Sequence, residues 1–139
     1  MGTSVQDLMT SNPKTVASES SVVEAAKIMR DENVGIVPLV DGERLVGTIT
    51  DRDIAIKVVA EGKDPQSTTV REIASTNLVT VDPQQDLDEA LRLMARNQVR
   101  RLPVVEENGK LVGVVAQKDV ADQGEDAKTG EVVQEISQG

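Results

Sequence analysis

Three residues in the stretch VGTITDRDI, residues 46–54, have types and spacing suited to holding a ligand: Gly47, Thr50 and Asp53. A carboxylate accepts two hydrogen bonds at once, so Asp53 can hold the vicinal hydroxyls of a sugar. Thr50 ends a predicted strand where a predicted helix begins, and the free backbone N–H groups at a helix N-terminus attract phosphate. A glycine such as Gly47 permits a close approach of backbone or ligand, or marks a bulge in the strand. These residues together are suited to binding a phosphorylated sugar.

The same spacing is also that of a helix cap. With Thr50 as the N-cap residue, Asp53 lies three residues further on, and the pair matches a capping box that stabilises a helix by about 1 kcal/mol. The two roles are compatible, and the spacing by itself leaves both open.

A second stretch, VGVVAQKDV at residues 112–120, repeats the glycine and aspartate of this motif at the same spacing but differs in its other polar residues. Gly113 and Asp119 are retained, but Ala116 stands where the first copy has a hydroxyl. The second copy has therefore lost one hydrogen-bonding group and the side chain of a helix cap. We expect it to bind a ligand weakly or not at all, which leaves one good site per chain.

Arginines near these motifs are candidates for contact with an anionic ligand. Arg52 lies in the first turn of the predicted helix, where the helix dipole disfavours a cation, so it either serves an anion or is simply exposed. Arg100 and Arg101 enter a predicted strand side by side, and their side chains therefore point to opposite faces. The first copy has Gly35 and Ile36 at the matching positions, so the contribution of an arginine to phosphate binding is not duplicated.

The composition excludes several classes of function. The 139-residue chain has no His and no Cys, which excludes histidine acid–base chemistry, thiol nucleophiles, disulfides and zinc clusters. It has no Phe, Tyr or Trp, so a bound planar ring would lie between aliphatic side chains. The net charge of −9 disfavours binding to nucleic acid or an anionic membrane. Asp51 and Asp53 lack a second member of a catalytic set, and we expect neither an enzyme nor a metal site.

The sequence contains no targeting or membrane segment that we recognise. Its N-terminal residues lack the charged start and apolar run of a signal peptide. No apolar stretch approaches the ~20 residues of a membrane span. We expect a cytoplasmic protein that does not bind a membrane.

The chain consists of two similar halves. Val5 aligns with Val70, and the match continues with few gaps to Ala55 in the first half and Ala121 in the second. Two copies of this length indicate a duplicated subdomain rather than a solenoid, which needs several shorter units. We assign residues 1–62 to repeat 1, 63–69 to a linker, 70–122 to repeat 2 and 123–139 to a polar C-terminal tail.

Both halves predict the element order β-α-β-β-α, preceded by a short helical turn. Ser21 with Glu24, and Asp86 with Glu89, have capping-box spacing at the start of the longer helix of each repeat. Aliphatic residues at helical spacing supply one buried face on each of these helices. These residues are Val22, Ala25, Ala26, Ile28 and Met29 in the first repeat, and Leu87, Ala90, Leu91, Leu93 and Met94 in the second.

Two aliphatic strands follow the longer helix, at residues 36–41 and 44–50 in the first repeat and 102–107 and 110–116 in the second. Their weak alternation predicts burial on both faces. A second helix begins near Asp51 and, in shorter form, near Gln117. One such sheet has too little core to be stable alone. We therefore expect an α/β (α+β) fold in which the repeats pack sheet to sheet with pseudo-two-fold symmetry and form two related clefts.

The tandem copies, the element order and the Gly-x-x-Thr-x-x-Asp pattern of Gly47, Thr50 and Asp53 resemble the cystathionine beta-synthase (CBS) domain pair, or Bateman module. The resemblance extends from about Val5 to Ala121 and includes small bacterial stand-alone CBS-pair proteins. It implies binding of an adenosine-containing ligand, either AMP, ADP, ATP or S-adenosylmethionine, with no required cofactor. It also implies a homodimer that regulates a protein partner.

The resemblance assigns roles to particular residues. Asp53 would hold the ribose hydroxyls, and Thr50 would bond ribose or phosphate. Arg101 would reach phosphate from the sheet, and Asp119 is the matching carboxylate of the second copy. Arg52 is a candidate contact to an anion from its position in the helix alone. The adenine pocket would be lined by Thr15, Val16, Ile36, Val37 and Pro38.

The expected function is a non-catalytic regulatory or sensor module that binds an adenosine-containing ligand in a cleft between the repeats. The alternative is a structural or protein-interaction dimer whose clefts hold no ligand. In that alternative, Val58 and Val59 on the second helix of repeat 1 would be part of the interaction surface.

Overall fold

The computed structural model describes residues 3–121, and its helices and strands follow the predicted order with two exceptions: residues 10–11 form an additional strand, and the first strand of repeat 2 is reduced to a bridge at Val81. The elements are α1 (Val5–Leu8), β1 (Thr10–Ser11), β2 (Val16–Ala17), α2 (Val22–Glu32), β3 (Ile36–Asp41), β4 (Arg44–Thr50), α3 (Asp51–Ile54), a π-helical turn (Ala55–Val59), α4 (Val70–Ile73), α5 (Leu87–Asn97), β5 (Arg101–Val105) and β6 (Leu111–Ala116). A further helical segment begins at residue 117. Helices, a mixed sheet and an antiparallel sheet confirm the predicted α+β class.

The first compact unit, which we call the central unit, is Lys14–Leu78. Its sheet has the order β2-β3-β4, with β2 parallel to β3 and β3 antiparallel to β4. Aliphatic side chains from the strands, from α2 and α4 and from the π-helical turn form its core. Its buried members are Val16, Val22, Ala25, Met29, Val37, Leu39, Ile49, Val58, Val70 and Ile73.

The second compact unit, the terminal unit, combines residues 3–13 with residues 79–121. Its sheet has the order β1-β6-β5, and Val81 forms a parallel bridge to Val104 on β5. The arrangement matches the central unit element by element. Its buried core consists of Val5, Val81, Leu87, Ala90, Met94, Leu102, Val104, Val115 and Val120.

Each unit contains a short helix from the other repeat. Helix α1 and strand β1, from repeat 1, lie in the terminal unit, where Thr10 pairs with Val114 of β6. Helix α4, from repeat 2, lies in the central unit, where Ser75 and Thr48 of β4 exchange both backbone hydrogen bonds at 2.8 and 3.0 Å. The duplicated stretches of sequence and the compact units therefore divide the chain differently. Local sequence patterns did not predict this exchange, since it depends on contacts between distant residues.

Gly47 and Gly113 lie where these exchanged segments cross the sheets. A Cβ atom at Gly47 would lie 2.9 Å from the carbonyl oxygen of Ser75, and one at Gly113 would lie 2.8 Å from that of Thr10. The residue before each glycine is skipped in the strand pairing, so a bulge also occurs at this point. Both roles that the sequence left open for Gly47, close backbone approach and a bulge, are present.

Several local predictions were wrong in detail. Ser21 and Asp86 are N-cap residues, but neither side chain makes a cap hydrogen bond. The first N–H group of each helix instead donates to a backbone carbonyl of a neighbouring segment: Val22 to Thr68 at 2.9 Å, and Leu87 to Thr3 at 3.1 Å. The Glu24 and Glu89 N–H groups, which a capping box would pair with the N-cap side chain, donate to the backbone carbonyls of Ser21 and Asp86 at 3.0 and 3.1 Å, so neither cap is a capping box.

Other differences concern burial and helix type. Ala26 is exposed rather than part of the buried face of α2, and β4 alternates between buried and half-buried positions instead of being buried on both faces. The second helix begins at Asp51 as predicted, but it becomes π-helical from Ala55, where the Ala60 N–H donates to the Ala55 carbonyl at 2.9 Å. The predicted tail, 123–139, lies outside the described residues. No helix within 3–121 is long and apolar enough to cross a membrane.

Candidate functional site

The Thr50–Asp53 pair forms a complete capping box at the junction of β4 and α3. The Thr50 N–H donates to Asp53 Oδ2 at 2.9 Å, and the Asp53 N–H donates to Thr50 Oγ1 at 3.0 Å. The predicted cap is therefore confirmed. Because a carboxylate has about four lone-pair positions, the cap leaves Asp53 with further acceptor capacity.

The other carboxylate oxygen of Asp53 forms an ion pair. Lys57 Nζ lies 3.2 Å from Asp53 Oδ1, and the Asp53 side chain is 17% exposed whereas that of Lys57 is 49% exposed. Lys57 Nζ also donates to the carbonyl oxygen of Ile73 at 3.1 Å. Sequence reasoning missed Lys57, although the four-residue spacing from Asp53 is a known pattern of helical ion pairs.

A carboxylate three residues after the N-cap recurs at the other short helices. Asp7 accepts from the Ser4 N–H at 3.1 Å in α1, and Glu72 accepts from the Thr69 N–H at 2.8 Å in α4. This hydrogen bond lowers the pKa of Glu72. At residue 117, Asp119 accepts from the Ala116 N–H at 3.3 Å. The aspartate of each motif copy therefore has a structural role whether or not it contacts a ligand.

Arg52 is exposed in the first turn of α3. Its backbone N–H donates to Asp51 Oδ1 at 2.8 Å, and the Asp51 N–H in turn donates to the Gly35 carbonyl at 2.9 Å. Among residues 3–121 the guanidinium of Arg52 has no ion-pair or hydrogen-bond partner. It is available to an anion, as the sequence left open.

The residues assigned to an adenine pocket differ in their accessibility. Val16 is 3% exposed and Val37 is 0% exposed, and both belong to the core of the central unit. Pro38 is also buried, whereas Thr15 and Ile36 are half-buried. Thr15 and Ile36 therefore have accessible side-chain surface that a ligand can contact, and Val16 and Val37 have almost none.

The second copy pairs different residues at the equivalent place. In the central unit Ile36 lies directly opposite Thr50 across β3 and β4, while in the terminal unit Arg101 lies opposite Ala116 across β5 and β6. Directly opposed residues on one face of a sheet have Cβ atoms about 5 Å apart. The terminal unit therefore has a cation opposite Ala116 where the central unit has Ile36 opposite the hydroxyl of Thr50.

Ala116→Thr is expected to stabilise the terminal unit by about 0.5–1 kcal/mol, because a threonine hydroxyl can accept the Asp119 N–H as Thr50 does in the central unit. Urea denaturation measures the difference. Ala116→Val is the matched control, since valine has the same shape without the hydroxyl. Equal stability of the threonine and valine variants would contradict a capping role at this position.

The charged groups at the β4–α3 junction have both signs. Residues 3–121 contain no group of three or more metal-ligating side chains that could hold an ion. The β4–α3 junction combines a half-buried carboxylate, a hydroxyl, an ammonium group and the guanidinium of Arg52, which has no partner within residues 3–121. Such a set can accept bonds from hydroxyl groups and donate to an anion.

The duplicated α+β units and the Gly-x-x-Thr-x-x-Asp junction define a tandem-repeat module, and the chain belongs to the CBS-domain family. The family model for the CBS domain matches residues 5–60 and 70–126. The predicted family is thus confirmed in both repeats.

Among curated proteins, CBS domain-containing protein YhcV of Bacillus subtilis is 47% identical over 118 residues, which cover 85% of this chain and 83% of the relative. The sequence also predicted a resemblance to small bacterial CBS-pair proteins. Hypoxic response protein 1 of Mycobacterium tuberculosis is 38% identical over 120 residues, covering 86% of this chain and 83% of the relative.

Two solved structures of similar fold contain adenosine compounds. The CBS domain pair of protein MJ0100, in complex with 5-methylthioadenosine and S-adenosyl-L-methionine, has a TM-score of 0.79 and 32% identity, and the match covers 92% of this chain and 100% of that one. CBSX2 in complex with AMP has a TM-score of 0.79 and 26% identity, and the match covers 91% of this chain and 98% of that one.

Proposed function

We propose that this protein is a non-catalytic regulatory or sensor module that binds an adenosine-containing ligand at the β4–α3 junction. Asp53 accepts the ribose hydroxyls, Thr50 contacts ribose or phosphate, and Arg52 contacts phosphate. The ligand is AMP, ADP, ATP or S-adenosylmethionine, and no cofactor is required.

The observation that supports this proposal most is how the Asp53 carboxylate is held and how many of its acceptor positions are left over. Its carboxylate is held by one backbone N–H and one ammonium group, is 17% exposed, and retains acceptor capacity for two hydroxyl groups. The family supplies the ligand class, because CBS pairs of similar fold have been crystallised with AMP and with S-adenosyl-L-methionine.

A regulatory role follows if ligand binding stiffens the pair of repeats and shifts an assembly equilibrium. We propose that the functional form is a homodimer in the cytoplasm that acts on a protein partner. Among proteins of similar fold, a CBS-CP12 protein from cyanobacteria is hexameric, so assembly is compatible with this fold.

Calorimetric unfolding tests the proposal, since the chain has no aromatic fluorophore. We expect at least one of AMP, ADP, ATP and S-adenosylmethionine to raise the melting temperature at concentrations well above its dissociation constant. Inosine monophosphate, with the same ribose and phosphate, is the control for recognition of adenine. No shift with any of the four adenosine compounds at millimolar concentration would contradict the proposal.

An interaction role without a ligand is the second candidate, and the helix surface favours it. Ile56 is 44% exposed and Val59 is 71% exposed, and both lie on the π-helical turn. Val58, which the sequence assigned to this surface, is 0% exposed in the core, so that assignment was wrong. Dimerisation that nucleotides do not alter, and that Val59→Asp weakens, would favour this second candidate.

A further inference from the structure

Lys57 connects the candidate ligand-binding carboxylate to the end of helix α4. Its Nζ atom lies 3.2 Å from Asp53 Oδ1 and donates to the Ile73 carbonyl oxygen at 3.1 Å. We propose that Lys57 is a positioning residue that holds Asp53 in its ligand-binding orientation and fixes it against α4. This inference rests on the proposed function of the same site.

The carboxylate plane of Asp53 is defined by two contacts on different oxygens. The Thr50 N–H binds Oδ2 at 2.9 Å, and Lys57 binds Oδ1. The χ2 torsion of aspartate, which turns the carboxylate plane, has a broad energy minimum. The first contact alone would therefore leave the carboxylate of Asp53 some freedom to rotate. With both, the remaining lone pairs point in fixed directions, which reduces the entropy lost when a diol binds.

The position of Lys57 is itself determined by the fold. The Ile73 carbonyl ends the four-residue helix α4, where carbonyl groups lack intrahelical partners, and an ammonium group satisfies this acceptor. Lys57 lies within the π-helical turn Ala55–Val59, and such turns occur frequently at functional sites. An ammonium group has three donors, so the two described contacts leave one for a ligand oxygen.

The contact also joins the two repeats within one unit. Asp53 and Lys57 belong to repeat 1 by sequence, whereas Ile73 belongs to repeat 2 and precedes the last residue of the central unit, Leu78. A ligand held by Asp53 is therefore connected through one side chain to the main chain that leads out of the unit. Lys57 thus joins the candidate site of repeat 1 to the backbone of repeat 2 within the central unit.

Titration calorimetry with AMP and three variants tests the role of Lys57. Lys57→Met retains most of the aliphatic stem and removes the charge, Lys57→Arg retains the charge, and Lys27→Met is the control. Lys27 lies in the same unit and pairs with Glu24 at 3.8 Å on an exposed face. We expect Lys57→Met to raise the dissociation constant about fivefold or more, with Lys57→Arg and Lys27→Met within about twofold of the wild type.

The melting temperature without ligand separates positioning from a purely structural role. A lower melting temperature with an unchanged dissociation constant in Lys57→Met would overturn the inference and leave the proposed function intact. Absence of AMP binding by the wild-type chain, together with no binding of the other adenosine compounds, would overturn both. A dissociation constant raised in Lys57→Met and restored in Lys57→Arg would support the inference.

Discussion

Replacing Gly113 with alanine is expected to destabilise the protein by about 1–3 kcal/mol, the usual cost of inserting a methyl group into packed structure. The new Cβ would lie 2.6 Å from Met9 Sδ and 2.8 Å from the Thr10 carbonyl oxygen. Met9 has a flexible side chain, but Thr10 is held by backbone pairing with β6, so the strand would have to move. Gly47→Ala is expected to behave similarly, because Ser75 presents its carbonyl oxygen 2.9 Å away.

Gly35→Ala is the matched control for these variants. Its Cβ would meet the Asp51 side chain at 3.1 Å, and that side chain is exposed and held by one local hydrogen bond from the Arg52 N–H, so it can move aside more easily than a paired backbone. Urea denaturation of the three variants gives the comparison. Equal stability of Gly113→Ala and Gly35→Ala would contradict the account of the exchanged segment crossing β6 at this glycine.

Asp53→Ala is expected to raise the dissociation constant for the adenosine ligand by at least about tenfold, because it removes charge-assisted hydrogen bonds worth roughly 1.5–3 kcal/mol each. Titration calorimetry measures this change directly. The substitution also removes a helix cap, so a lower melting temperature by itself would not identify a ligand contact.

Asp7→Ala separates these two effects. Asp7 accepts its N-cap N–H at 3.1 Å, much as Asp53 does at 2.9 Å, but it belongs to α1 in the terminal unit. We expect Asp7→Ala to lower stability and leave the dissociation constant unchanged. If both substitutions changed affinity equally, Asp53 would have no specific role in binding.

The sequence predicted those elements whose determinants are local. Strands β3 and β4 have the predicted bounds, because the turn at Gly42, with φ of 66°, separates two aliphatic runs. The junction at Thr50 and Asp53 was also predicted, since a capping box is a matter of spacing along one chain segment.

The features that the sequence did not predict depend on distant residues. Strand β1 is two residues long and exists because it pairs with β6, about a hundred residues later in the chain. The Glu24 N–H that the Ser21 side chain was expected to cap donates to the Ser21 backbone carbonyl, and the Val22 N–H donates to Thr68 in a distant segment. Lys57 was missed because its second partner, the Ile73 carbonyl, comes close only through the exchange of α4.

The structure also explains why the glycine and the aspartate recur in both motif copies. Gly47 and Gly113 each allow an exchanged segment to cross a strand, and Asp53 and Asp119 each accept an N-cap N–H. These are structural requirements of both units. The hydroxyl of Thr50 is not required by both, and its replacement at Ala116 predicts that the two copies differ in ligand binding.

Titration of the wild-type chain with AMP, ADP, ATP and S-adenosylmethionine tests the central claim most directly. For the preferred compound we expect one ligand per chain and a dissociation constant on the order of 10 μM, from about −0.3 kcal/mol per non-hydrogen atom of a nucleotide. A stoichiometry of two equal sites would contradict the predicted difference between the copies. No binding of any of the four compounds at millimolar concentration would contradict the proposed function itself.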